Sequence, residues 1–157
     1  MVKAWHATAL ALGLTFGAVA PAMAPEVPGA NQIVTRTLPN GMKLVVWPDK
    51  DIPNVAMYTW YRVGSRNERP GITGISHLFE HLMFKGTKKV KPEEHARLVQ
   101  AEGGVNNAFT TWDVTCYWQA LPPDQLELAA RLEADRMANL ALTPENLATE
   151  REVVKEE

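Results

Sequence analysis

The last helix-forming segment of the chain places two carboxylates on its apolar side, and that constrains the fold more than any other feature. The segment opens at Thr143-Pro144-Glu145, with threonine as cap and proline at the first helical position. In helical projection Leu147, Val153 and Val154 define an apolar stripe, while Arg151, Glu152, Lys155 and Glu156 occupy the other side. Glu150 and Glu157, two turns apart, project into the stripe, and the same projection turns Glu156 outward. Burying a carboxylate without a partner costs several kcal/mol. This helix must therefore pack where cations or strong donors are supplied.

The segment Ile75-Ser76-His77-Leu78-Phe79-Glu80-His81-Leu82-Met83-Phe84 can supply them. As a helix it gathers Ile75, Leu78, Phe79 and Leu82 on one side and His77, Glu80 and His81 on the other. His77 and His81 are one turn apart, so both imidazoles can reach a single metal at about 2.0–2.1 Å. Glu80 can hold a metal-bound water without being a ligand. The same three residues also suit a solvated polar face, and the inward acids of the last helix are what argue against that reading. Two imidazoles and one carboxylate leave the fourth tetrahedral position open, as in a catalytic rather than a structural zinc site. Zinc lowers the pKa of water held there towards neutrality. Glu80 would take its proton during attack on a carbonyl, which makes amide hydrolysis the expected reaction. Manganese or cobalt could occupy the same ligands. His6, near the start, and His95, on a charged helix, receive no role.

The rest of the chain reads as strands interleaved with helices. Ile33 to Leu38 and Met42 to Trp47 flank Pro39-Asn40-Gly41 as a hairpin, and Val55 to Val63 forms a third strand. A loop from Gly64 to Gly71 leads into the histidine helix, expected from about Gly74 to Phe84 and stopped at Gly86. Pro92 opens another helix ending at Gly103-Gly104. Val105 to Thr110 and Val114 to Ala120 pair around Thr111-Trp112-Asp113. Asp124-Gln125-Leu126-Glu127 has capping-box spacing for a helix to about Asn139. Without the regular alternation of a parallel sheet, this order predicts an α+β fold: a two-layer α/β sandwich with helices on one face of a mostly antiparallel sheet.

The 157 residues, 46% of them hydrophobic, suit one domain. Sixteen basic and 18 acidic residues, a formal charge of −2, create no field for nucleic acid. The local basic run from Lys85 to Lys91 reads as a solvated loop. Cys116 is the one cysteine, so no internal disulfide forms, and its place in a strand pattern argues against a catalytic thiol. Residues 1–24 read as a signal peptide: Lys3 precedes an apolar run from Ala7 to Ala20 and the small-x-small patterns Ala18-Val19-Ala20 and Ala22-Met23-Ala24. Proline follows both cleavage options, so an uncleaved leader acting as a membrane tether is the alternative to a free periplasmic or secreted protein. Residues 25–32 form a linker, and residues 33–157 the domain itself.

Four separate segments carry a resemblance to a known family: Arg62-Val63-Gly64-Ser65-Arg66, His77 to Thr87, Gly103-Gly104-Val105-Asn106-Asn107-Ala108-Phe109-Thr110, and Glu150 to Glu157. The chain resembles the pitrilysin/insulinase family of inverted-motif zinc peptidases, whose signature is His-x-x-Glu-His. The resemblance implies the family's fold, with His77, His81 and Glu157 as zinc ligands and Glu80 as catalytic base. Glu150 matches the family's additional active-site acid, which orients a ligand or modulates the site. Asn107 and Ala108 match the segment that holds the substrate backbone by strand addition along Val105 to Thr110. The resemblance further implies an amino-terminal fragment, because in the family a homologous second half, in the same chain or a partner subunit, closes the chamber. The expected function is that of a zinc-dependent endopeptidase acting on extended peptides; the alternative is a catalytically silent partner subunit.

Overall fold

A computed structural model of the chain describes residues 27–157. The expected signal peptide, its cleavage options and the start of the linker lie outside the described residues. The chain divides into two compact units, Met1–Asp49 and Lys50–Glu157.

In the first unit a short 3-10 turn, Ala30–Gln32, precedes a hairpin of β1 (Val34–Thr37) and β2 (Lys43–Val46), antiparallel with Val34 opposite Val46. The Pro39-Asn40-Gly41 turn is closed by Gly41 N–H donating to the Leu38 carbonyl at 2.9 Å, and the Asn40 side chain accepts from Met42 N–H at 3.1 Å. The hairpin is its own two-stranded sheet.

The second unit is a three-stranded antiparallel sheet with helices on one face, as the sequence pattern predicts. Its strands β3 (Val55–Tyr61), β4 (Val105–Thr110) and β5 (Thr115–Leu121) stand in the order β3-β5-β4. Val55 faces Leu121, and Val105 faces Ala120. On β3, Val55, Met57, Thr59 and Tyr61 are half-buried and the residues between them are exposed, the period of two that a one-sided sheet requires. The covered face carries α1 (Ile75–Leu82), α2 (Glu94–Ala101) and α3 (Leu126–Asn139). On the opposite face Trp60 and Phe109 meet edge-on at 5.8 Å, and Cys116 lies fully buried between these cross-strand neighbours. Burial pushes the Cys116 thiol pKa up, which keeps it protonated and unreactive.

Val99, Leu121, Ala129 and Leu132 form the buried core, with Met57, Val90, Leu98 and Leu128 packed around it. Gly104 permits this closure: a Cβ there would stand 2.7 Å from the Ala120 carbonyl oxygen and 2.8 Å from Leu121 Cγ. Beneath α3, Glu133 and Arg136 are buried as an ion pair, and the Arg136 guanidinium lies 4.5 Å from the centre of the Tyr117 ring and 5.4 Å from that of Phe84.

His95, on the charged helix, is 5% exposed, because α2 turns His95 and Val99, one turn apart, towards the core. Two local readings are corrected. The expected capping box on α3 does not form; the 3-10 turn Pro123–Gln125 feeds the helix, and Gln125 at its start makes no side-chain cap. Pro92 does not open α2 either. Glu94 accepts from Lys91 N–H at 2.8 Å and donates its own N–H to the Lys91 carbonyl at 3.0 Å, so a turn comes first and Glu93 takes φ +61°. The last helix, α4 (Pro144–Glu156), starts as expected, with the Thr143 hydroxyl accepting from Asn146 N–H at 3.1 Å.

Burial, reinforced by the Arg136 charge and only partly opposed by the neighbouring Gln119 side chain, lowers the His95 pKa from 6.5 to about 4. The folded state thus keeps His95 neutral where the unfolded chain binds a proton, so stability falls as pH drops from 6.5 towards 4. Over that window the loss is about 3 kcal/mol. Urea midpoints measured across the window should fall accordingly, and His95→Phe should flatten the slope. A slope that persists in the variant would assign it to another group.

Candidate metal centre

The histidine helix is anchored at both ends of its entry loop. Ser65 and Arg66 donate their N–H groups to the carbonyls of Thr111 and Trp112 at 3.1 and 2.8 Å, docking the loop on the β4–β5 turn. Gly64 makes the approach possible, since a Cβ there would lie 2.3 Å from the Thr111 carbonyl oxygen. Further along, the Glu68 carboxylate accepts from Gly74 N–H at 2.7 Å and Ser76 N–H at 2.9 Å, taking up two of the free donors at the start of α1. Burial acts to raise the Glu68 pKa, but these bonds outweigh it and hold the carboxyl below its ordinary value.

The helix then presents its polar face inward. Ile75 and Phe79, on the apolar side, are 37% and 45% exposed, whereas Ser76 and Leu82 are buried. The reason is that α1 lies against both β4 and α4, and each offers partners to the polar residues. α4 behaves likewise. The acid expected within its apolar stripe, Glu150, is buried and Val154 beside it is half-buried, as is Asn146, while the apolar flanks Leu147 and Val153 are exposed. Between these helices the polar groups satisfy one another.

Three of the predicted site residues converge. The Nε2 atoms of His77 and His81 are 3.1 Å apart, and Glu157 Oε2 lies 3.2 Å from the first and 3.4 Å from the second. Ligands 2.0–2.1 Å from a tetrahedral ion are separated by about 3.3 Å, so the three atoms match three vertices around one zinc-sized cation and leave a fourth open. The chemistry of the donor set agrees. Glu150 Oε2 stands 3.2 Å from His81 Nδ1. An ionised carboxylate only accepts, so the ring proton sits on Nδ1 and the Nε2 lone pair points at the other two donors. An imidazole nitrogen and a carboxylate oxygen facing one another at 3.4 Å suit a shared cation. Among the described residues this is the one cluster of three metal-ligating side chains.

Glu150, 5% exposed, is held from both sides: Oε2 by His81, and Oε1 by Lys85 Nζ at 2.9 Å. Burial works to raise its pKa, yet the Lys85 and His81 hydrogen bonds and the Lys85 charge together keep it below the ordinary carboxylate value. The Glu150 hydrogen bond in turn raises the Lys85 pKa. Lys85 is therefore no part of a solvated basic loop, as the run from Lys85 to Lys91 suggested; it follows the end of α1 and reaches back to α4. Nothing in its spacing separates it from its neighbours Lys88 and Lys89, which are exposed.

Glu80 points to a different neighbour. Its Oε2 accepts from the Thr110 hydroxyl at 2.5 Å, between α1 and β4. Thr110 belongs to a motif segment visible in the sequence, but only the fold brings it to Glu80. Asn107 and Ala108 lie on β4, an edge strand of the three-stranded sheet, with the Ala108 N–H donating to Asn107 Oδ1 at 2.9 Å.

Comparison with known proteins agrees with this architecture. The chain is 40% identical over 122 residues to the zinc protease PqqE of Helicobacter pylori, an alignment spanning 77% of this chain and 28% of the relative. The crystal structure of a protease from Helicobacter pylori superposes with a TM-score of 0.77 at 38% identity, over 79% of this chain and 30% of that one. Pitrilysin superposes with a TM-score of 0.70 at 26% identity, over 76% of this chain and 13% of its own. The chain thus spans less than a third of the length of these relatives. The model of the insulinase family, peptidase family M16, matches residues 44–157. With the whole of the second unit inside that match, the chain belongs to the insulinase family, peptidase family M16.

Proposed function

We propose that this chain carries the zinc-binding half-site of a metalloendopeptidase, with His77, His81 and Glu157 as ligands and Glu80 as the general base. The observation that carries the reading is the triangle of His77 Nε2, His81 Nε2 and Glu157 Oε2, with edges of 3.1 to 3.4 Å. The name zinc protease given to PqqE supports the choice of metal. Bound there, zinc would act as a Lewis acid, bringing a water at the open position towards neutral pKa and polarising the scissile carbonyl. Glu80 takes the proton from the attacking water and returns it to the departing amine. Glu150 fixes the tautomer and orientation of His81, and Lys85 keeps Glu150 ionised and in place.

The substrate is an extended peptide laid against the β4 edge, where its backbone competes with the Asn107 side chain for the Ala108 N–H. A homologous second half, in the same chain or a partner subunit, closes the chamber over it. The leader-like opening of the sequence supports export to the periplasm or beyond, with a membrane tether if the leader stays uncleaved; among the described residues no helix is long and apolar enough to cross a membrane. A silent partner subunit is the weaker reading, because binding surface alone requires neither the donor triangle nor the Lys85–Glu150–His81 relay.

In the complete gene product carrying this sequence, Glu80→Gln should keep zinc and lose cleavage of a quenched peptide by a factor of about 100 or more, while His81→Ala should lose both. Parent-like cleavage by Glu80→Gln would remove the base assignment. Lys85→Met should weaken zinc binding by about 10- to 100-fold in a chelator competition, with Lys85→Arg intermediate. Equal zinc affinity in the parent and both variants would show that Lys85 does not support the site.

A further inference from the structure

We infer that Thr110 is a positioning residue for the base, anchoring the Glu80 carboxylate from the substrate-side strand; the inference rests on the reading of Glu80 given above. Thr110 closes β4 and lies opposite Thr115 at the start of β5. The Thr115 hydroxyl donates to the Val63 carbonyl at 3.0 Å and stands 3.4 Å from the Thr110 hydroxyl. Its one proton is thereby committed, so Thr110 receives none from it and is free to direct its own proton to Glu80 Oε2 at 2.5 Å.

The consequence is an asymmetric carboxylate. Oε2 is engaged by a hydroxyl whose position is fixed by strand register and by the narrow rotamer choice of a β-branched side chain. Among the described residues Oε1 receives no side-chain donor, and it is the oxygen left to accept a proton. Without the anchor the carboxylate rotates about its last two bonds, and fewer of its orientations place an oxygen towards the metal-binding triangle. One strand thereby serves two tasks: Asn107 and Ala108 hold the peptide backbone in the proposed reading, and Thr110, further along the same edge strand, orients the group that activates the water. A peptide that orders β4 also orders the base.

In this reading the Thr110 side chain touches neither metal nor substrate, and the strand backbone that would bind peptide is unchanged by replacing it, so its removal should slow turnover and leave binding alone. In the complete, zinc-loaded gene product, Thr110→Val should lower kcat about ten-fold or more, with KM and zinc stoichiometry unchanged. Thr110→Ser, which keeps the hydroxyl, should recover most of kcat. Thr115→Val, which removes the neighbouring hydroxyl that does not touch Glu80, should lower thermal stability while kcat stays within about two-fold. If Thr110→Val does not fold, Thr110→Ala takes its place, with the same loss of kcat expected. Parent-like kcat in Thr110→Val or its alanine substitute, combined with an inactive Glu80→Gln, overturns the positioning role and leaves the base reading intact. Parent-like cleavage by Glu80→Gln overturns the base reading itself. A Thr110→Ser variant as slow as the valine one, or a Thr115→Val variant equally slow, would reduce Thr110 to a packing residue and overturn the inference.

Discussion

The structure around the site depends on the meeting of two imidazoles and a carboxylate between α1 and α4. Two imidazole nitrogens and a carboxylate oxygen approach within 3.1 to 3.4 Å, a spacing that positive charge between them would stabilise. This explains why α1 and α4 meet through polar faces while Ile75, Phe79, Leu147 and Val153 stay exposed. Polar contacts carry much of this junction: the Lys85 and His81 bonds to Glu150 join the two helices. In the proposed reading, metal affinity and the docking of α4 would be one equilibrium, with metal-binding free energy appearing as folding free energy.

The sequence made the large features legible because they rest on periodicity. Strand alternation in β3 and β4, the interleaved helices and the Thr143 cap all follow from local pattern, and the antiparallel one-sided sheet follows from their order. The helix faces were harder. Projection identifies which residues share a side, and it grouped His77, Glu80 and His81 correctly. It does not say which side faces in, and here Ile75 and Phe79 are the exposed ones. Hydrophobicity alone does not decide the matter where polar residues on two helices satisfy each other. The turn of α2 that buries Val99 also buries His95.

Contacts across long sequence separations were out of reach of any local pattern. Lys85 to Glu150 and Thr110 to Glu80 join segments with no common periodicity, through side chains of ordinary appearance. Both partners of each contact lie in or beside motif segments that the resemblance picked out, but the pairing between them comes from packing α1 against β4 on one flank and α4 on the other.

Four glutamates at this site show how environment assigns different roles to one side chain. Glu68 accepts two backbone N–H groups and starts a helix. Glu150 lies between an ammonium and an imidazole N–H, so its charge is fully compensated and its oxygens are spoken for. Glu80 has one hydroxyl on one oxygen, which steadies it without neutralising it and leaves proton-accepting capacity in hand. Glu157 meets two imidazole nitrogens, one of which, on His81, carries a lone pair towards it. Compensation by permanent donors is complete at Glu68 and Glu150, partial at Glu80 and least at Glu157. The proposed division of labour, Glu80 as base and Glu157 as metal ligand, follows the partners of each carboxylate rather than its position in the chain.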